Sequence, residues 1–147
     1  GMRVAGRGAE ASQLVKDFGA NARPLAPALR QAMAQTKSID ERARSAEALW
    51  LIAGDSEPAV TLAITLIENW KKAEALPDPI QQSIQQSRAG REISSAVLFL
   101  SDIPEFRLTM KPYLVAWSTS TASRASREVK ESLKWLEKSE AKSGTGP

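Results

Sequence analysis

Cysteine and histidine are both absent from the 147 residues. Without cysteine there is no disulfide framework, no thiolate zinc site and no thiol nucleophile. Without histidine the commonest general base and the commonest metal ligand are gone as well. Any catalysis would rest on carboxylates, lysine, serine or tyrosine, and no cofactor is expected. Aromatic residues are only 5% of the chain, and runs of Val, Ile, Tyr and Phe of strand type are missing. What remains is rich in alanine and leucine and points to an all-α chain. No apolar run approaches the roughly 20 residues needed to span a bilayer. Gly1 reads as the scar of a cleaved tag and is set aside, and residues 2–8, MRVAGRG, lack the apolar centre of a signal peptide. A cytoplasmic protein without a membrane partner is expected.

What is present suits one domain with a sizeable core: 42% hydrophobic and 25% charged residues. The net charge of +3 is too small to argue for nucleic acid by itself. Its distribution is more informative. Residues 1–46 hold 8 basic and 4 acidic side chains, residues 47–106 hold 4 and 9, and residues 107–147 hold 8 and 4. The middle is acidic and both ends are basic. The plain reading is an uneven solvated surface; the sharper one is a polarity used in docking.

The stretch 38–67 is the most regular. Ser38 and Glu41 have capping-box spacing. Ala46, Leu49, Trp50 and Ala53 form an apolar face, and Gly54 offers the left-handed residue that ends a helix. Asp55 or Ser56 then caps a second helix with Pro58 in its first turn. Val60, Ala63, Ile64 and Ile67 make its stripe. Helices are predicted over about 39–53 and 57–74. Before them come 9–18, with Leu14, Val15 and Phe18 inward, and a helix capped by Asn21 and running to about Gln35. Pro27 is expected inside the latter, kinking it. After them, Asp78-Pro79 opens the polar stretch 80–90. That stretch is either a short inserted helix or the beginning of the next one, with Gly90 as a weak point. Further helices are predicted to about Trp117, with Pro112 inside, and from Ala122 to Glu137. Ser118 to Thr121 form the expected turn between them.

A repeat runs through these segments. FGANARPLAPAL (18–29) matches AGDSEPAVTLAI (53–64), and the cap positions Asn21 and Asp55, like Pro24 and Pro58, lie 34 apart. SSAVLFLSD (94–102) resembles AEALWLIAG (46–54), with Asp102 at the turn position of Gly54 and about 14 residues inserted. The tetratricopeptide and ankyrin signatures are absent. The run Ala46 to Val60, A-x-A-L-W-x-I-A-G-D-x-E-P-A-V, resembles the short HEAT-like repeats of the phycobilisome-lyase type. Arg42 fits the arginine common there before the leucine, here Leu49. The likeness covers about 12–67 and more loosely 91–136. It implies an α-α superhelix: a right-handed solenoid of about three HEAT-like helix pairs plus a leading helix. The domain would span 9–137, with units near 20–53, 54–101 and 102–137 and flexible tails at 1–8 and 138–147.

Motifs of chemistry are scarce. The carboxylate pairs Asp40/Glu41 and Glu128/Glu131 suit a helix dipole and surface i,i+4 pairing. The Ser/Thr cluster 118–126 lacks the G-x-S-x-G or S-x-x-K context of a nucleophile, and no phosphate-binding loop occurs. Trp50 is expected in the core and Trp135 partly exposed. Trp70 and Trp117 are weighed as packing or as anchors for a partner. Arg124, Arg127, Lys134 and Lys138 share one face of the last helix, with Glu131 among them, and form either a solvated face or a phosphate-contacting stripe. Arg42 and Arg44 are candidates for ion pairs with Asp55 or Glu57. The expected function is a non-enzymatic scaffold for a protein partner. The alternatives are nucleic-acid binding by the basic ends and an accessory, lyase-like role, the latter implied only by the resemblance.

Overall fold

The computed structural model describes residues 24–120 and 124–142. The predicted helix at 9–18, and residues 1–8 and 143–147 of the two predicted tails, lie outside them. Among the described residues there are helices and no strands. They are α1 (Ala26–Gln35), α2 (Ile39–Ala53), α3 (Glu57–Glu74), α4 (Pro79–Leu100), α5 (Pro104–Ser120) and α6 (Arg124–Lys142).

Local chemistry sets the boundaries. Ser38 Oγ accepts the Glu41 amide at 3.4 Å, while the Ser38 amide turns back to Thr36 Oγ1 at 3.1 Å. Only one arm of the expected capping box therefore forms. Gly54 ends α2 with φ +64°, and its amide donates to the Trp50 carbonyl. Asp55 Oδ1 then accepts the Glu57 amide at 3.0 Å and so caps α3 from outside the cap position, which Ser56 occupies. At α4 Asp78 accepts the Ile80 amide at 3.0 Å, with Pro79 in the first position.

Several expectations change. α1 starts at Ala26, so Pro27 stands in its first turn, where it removes no helical hydrogen bond and gives no ground for a kink. Of the two readings of the stretch 80–90, the structure shows the second: it begins α4, which runs unbroken for 22 residues through Gly90, buried rather than a weak point. Asp102 does not replace Gly54 in kind. No non-glycine residue has positive φ among the described residues, and Ser101 ends α4 in a right-handed conformation. Ser118 and Thr119 are not a turn but the last turn of α5, where their hydroxyls donate to the carbonyls of Val115 and Ala116. α6 continues to Lys142, past the expected end at 137, because Ser139 is buried and Glu140 pairs with Lys111 of α5 at 3.0 Å.

Consecutive helices pack on one another, α1 on α2, α3 on α4 and α5 on α6 more extensively than α2 on α3, and three pairs also pack at the second helix: α2 on α4, α3 on α5 and, most extensively, α4 on α6. Alanines make these approaches close. Ala43, Ala46, Ala59, Ala63 and Ala96 are fully buried, and small side chains at a crossing let helix axes approach to the short end of the usual 8–10 Å. One large core joins α2 to α6, and a smaller one of Leu29, Ala48, Leu49 and Ile52 joins α1 to α2. At the centre of the large core Trp70 of α3 stacks on Trp117 of α5, with centroids 4.8 Å apart and planes inclined by 20°.

A polar knot sits at the α4–α5 turn. Ser101 is buried; its Oγ accepts Trp135 Nε1 at 3.1 Å and meets Ser139 Oγ at 3.0 Å, and its carbonyl accepts buried Arg107 Nη1 at 2.9 Å. This ties α6 to the turn and explains why Trp135 stays half out of the core.

The Gly54 turn provides a test. A Cβ at Gly54 would meet nothing within 4 Å, so Gly54→Ala is penalised only through its left-handed backbone. It is expected to lose about 1 kcal/mol in urea unfolding, with an unchanged denaturant slope.

Candidate functional site

A groove of about 520 Å³ lies between the second half of α3 and the first half of α4. It exists because α4 has 22 residues where α2 has 15, so the first turns of α4 extend beyond α2. On α4, Gln81, Gln85, Arg88 and Glu92 recur at spacings of 4, 3 and 4 and share one face. Asn69 and Lys72 face them from α3. The floor is made by Ala73 and Ala89, both nearly buried, and small side chains there leave the depth unfilled. Gln82, one position off this face, is used structurally and donates to the Glu74 carbonyl at 2.7 Å. The six polar side chains of the groove make no hydrogen bond or ion pair among the described residues.

A second cleft of about 290 Å³ lies on the other side of α4, against the start of α2. Lys37, Ser38 and Arg91 line it, and it shares Arg88 and Glu92 with the groove. The acidic middle third of the chain holds only four basic residues, Lys71, Lys72, Arg88 and Arg91. Lys71 lies over the Tyr113 ring at 4.9 Å. The other three all border these two clefts. A third, more apolar groove of about 350 Å³ separates α1 from α3, with Met33, Pro58 and Leu62 on its walls and Arg30, Arg42 and Glu57 at its rim.

The predicted site residues are not gathered here. Trp70 and Trp117 are 0% and 6% exposed, so neither is a surface anchor. Each ring spends its apolar area on the other and on the α3–α5 contact, which is why the helical pattern alone could not separate packing from display. On α6, Arg127, Lys134 and Lys138 are exposed, and Arg127 pairs with Glu131 at 3.6 Å. Arg124 opens α6, and its side chain, like that of Ala125, is outside the described residues. Trp50 packs against the large core as expected, half-buried rather than enclosed. Asp55 pairs with Arg30 of α1 rather than with Arg42 or Arg44. Arg42 Nε instead donates to the Thr36 carbonyl at 3.0 Å, and Arg44 lies over the Phe99 ring at 5.0 Å.

Among the described residues no three carboxylates come together as a metal would require, and no helix is long and apolar enough to cross a membrane. The groove residues could have been suspected from the sequence. Three of the few cations in an acidic region fall within 20 residues of one another, and two glutamines four apart occupy the insertion. No protein-family model, curated protein or solved structure matches the chain.

One titration is perturbed. The hydrogen bond from Arg30, then the bond from the Glu57 amide, holds the Asp55 carboxyl below its ordinary 3.8, against a small opposing effect of burial. A lowered folded value means stability that is complete above 3.8 and disappears as the pH falls through the lower value. The Arg30 side chain is 53% exposed, so the pair contributes no more than about 1 kcal/mol. Urea unfolding against pH is expected to show a small acid-side loss in the parent that is missing in Asp55→Asn.

Proposed function

We propose that this chain is a protein-binding module built of HEAT-like helix pairs, with no chemistry of its own, and that it holds its partner in the α3–α4 groove. The single observation that carries the reading is a groove lined by six polar side chains, none of which is used to hold the fold together. Polar side chains of a helix surface gain little by facing one another across open solvent; they gain more when a partner desolvates and pairs them. The packing of α2 on α4 on α6, with α3 on α5 beside them, supports the finer picture of stacked pairs in a superhelix, since each pair buries its stripe only against its neighbours. The cytoplasm is the compartment that a cysteine-free helical binder suits.

The basic face of α6 is the weaker candidate for a binding surface. Glu131 stands in the middle of its cations and neutralises Arg127, which lowers any attraction for phosphates.

A photo-crosslinking residue at Gln85 tests the reading in an extract of the cells that make the protein. Discrete protein adducts are expected there and are expected to be lost in the same protein carrying Arg88→Glu. The same crosslinker at Glu137, on the outer side of α6, is expected to give none. Adducts of equal yield at both positions, or none at Gln85, would contradict the module.

A further inference from the structure

We infer that the α3–α4 groove takes an extended, acidic peptide segment, which crosses the first half of α4 toward the start of α2. The inference rests on the binding-module reading and names the class of partner. Three features of the groove select this occupant.

The first is periodicity. Gln81 and Gln85 are one step of four residues apart, a rise of about 6 Å. Alternate residues of an extended chain repeat every 6.4–6.8 Å, roughly the same step. An extended segment lying along α4 therefore offers a fresh backbone amide and carbonyl near each glutamine in turn. Each glutamine carboxamide, and that of Asn69 opposite, can donate and accept at once, which is what a strand-like backbone with no internal partners requires. A helical partner would have its own backbone already paired.

The second is charge. Lys72 and Arg88 face the groove from its two walls, and Arg91 and Lys37 continue the line across α4 into the adjoining cleft. All four are exposed and without an ion-pair partner among the described residues. Together they would meet carboxylates on a chain crossing from one cleft to the other. Arg88 borders both clefts and would be the central contact. The third is what disfavours nucleic acid: no aromatic ring lines either space for a base to stack on. Glu92, which borders both clefts, suits a backbone N–H of a peptide.

The test is fluorescence anisotropy on the full chain with a labelled peptide of alternating glutamate and serine. Saturable binding is expected. Arg88→Glu should weaken it about tenfold, the loss of one charge-assisted contact and its replacement by a like charge. Gln81→Ala/Gln85→Ala should weaken it with no change in its salt dependence, because the lost contacts are neutral. Lys134→Glu, on α6 away from the groove, should leave it unchanged. All these side chains are exposed or half-exposed, and circular dichroism confirms that each variant keeps its helix content. The inference is overturned if the glutamate peptide does not bind, or if a lysine–serine peptide binds as well. It is equally overturned if oligothymidylate of matched charge binds more tightly, or if Lys134→Glu costs as much as Arg88→Glu. Failure of the peptide with discrete adducts at Gln85 would remove the acidic occupant and leave the module standing.

Discussion

The stack of Trp70 on Trp117 is the contact on which the arrangement of helices depends. It joins α3 to α5, two helices that are not consecutive, and it fills the middle of the large core. Tyr113 extends it, with its ring 5.6 Å from that of Trp117. An aromatic pair contributes about 0.5–1.5 kcal/mol beyond its area. That gain is drawn down by Trp70 Nε1, which is buried and has no hydrogen-bond partner among the described residues. An orphaned buried donor costs about 1–3 kcal/mol. The stacked rings fill the space between α3 and α5, while the alanines of α2, α3 and α4 bring their neighbours close.

From that packing the groove follows. α3 is held on one side by α5 and on the other by α2 and α4. α4 is longer than the helix it matches, and where it faces α3 at the groove the floor is made of Ala73 and Ala89. The excess length, seven residues and so about half of the insertion read from the repeat, projects a row of polar side chains over an alanine floor. Three of the four cations of an otherwise acidic region border this place, and none of the groove's six polar side chains is paired among the described residues.

Much of the fold was legible because its punctuation is local. Gly54 requires the left-handed region, Asp55 and Asp78 accept amides two residues on, and Pro58, Pro79 and Pro104 sit where a missing N–H is harmless. α2 and α3 could be bounded to the residue for that reason. Pro27 is expected in the second turn and stands in the first, a shift of four positions, because a proline near a helix start reads the same in either turn. The end of α6 was set too early since KSEAK looks like a tail; its Ser139 and Glu140 find partners only in three dimensions, on Ser101 and Lys111. The site was less legible. Apolar periodicity marks what is buried and therefore drew attention to Trp70 and Trp117, which pack. A groove made of glutamines and alanines has no apolar stripe to mark it, and its walls come from two helices whose facing could not be read from either alone.

A double-mutant cycle between Trp70 and Trp117 measures the central contact most directly. Leucine at each position keeps an apolar filling and, at Trp70, removes the orphaned N–H. The account predicts a favourable coupling of about 0.5–1.5 kcal/mol in urea unfolding, with each single variant less stable than the parent. Additive effects of Trp70→Leu and Trp117→Leu, with a coupling indistinguishable from zero, would show that α3 and α5 do not meet through these rings and would contradict it.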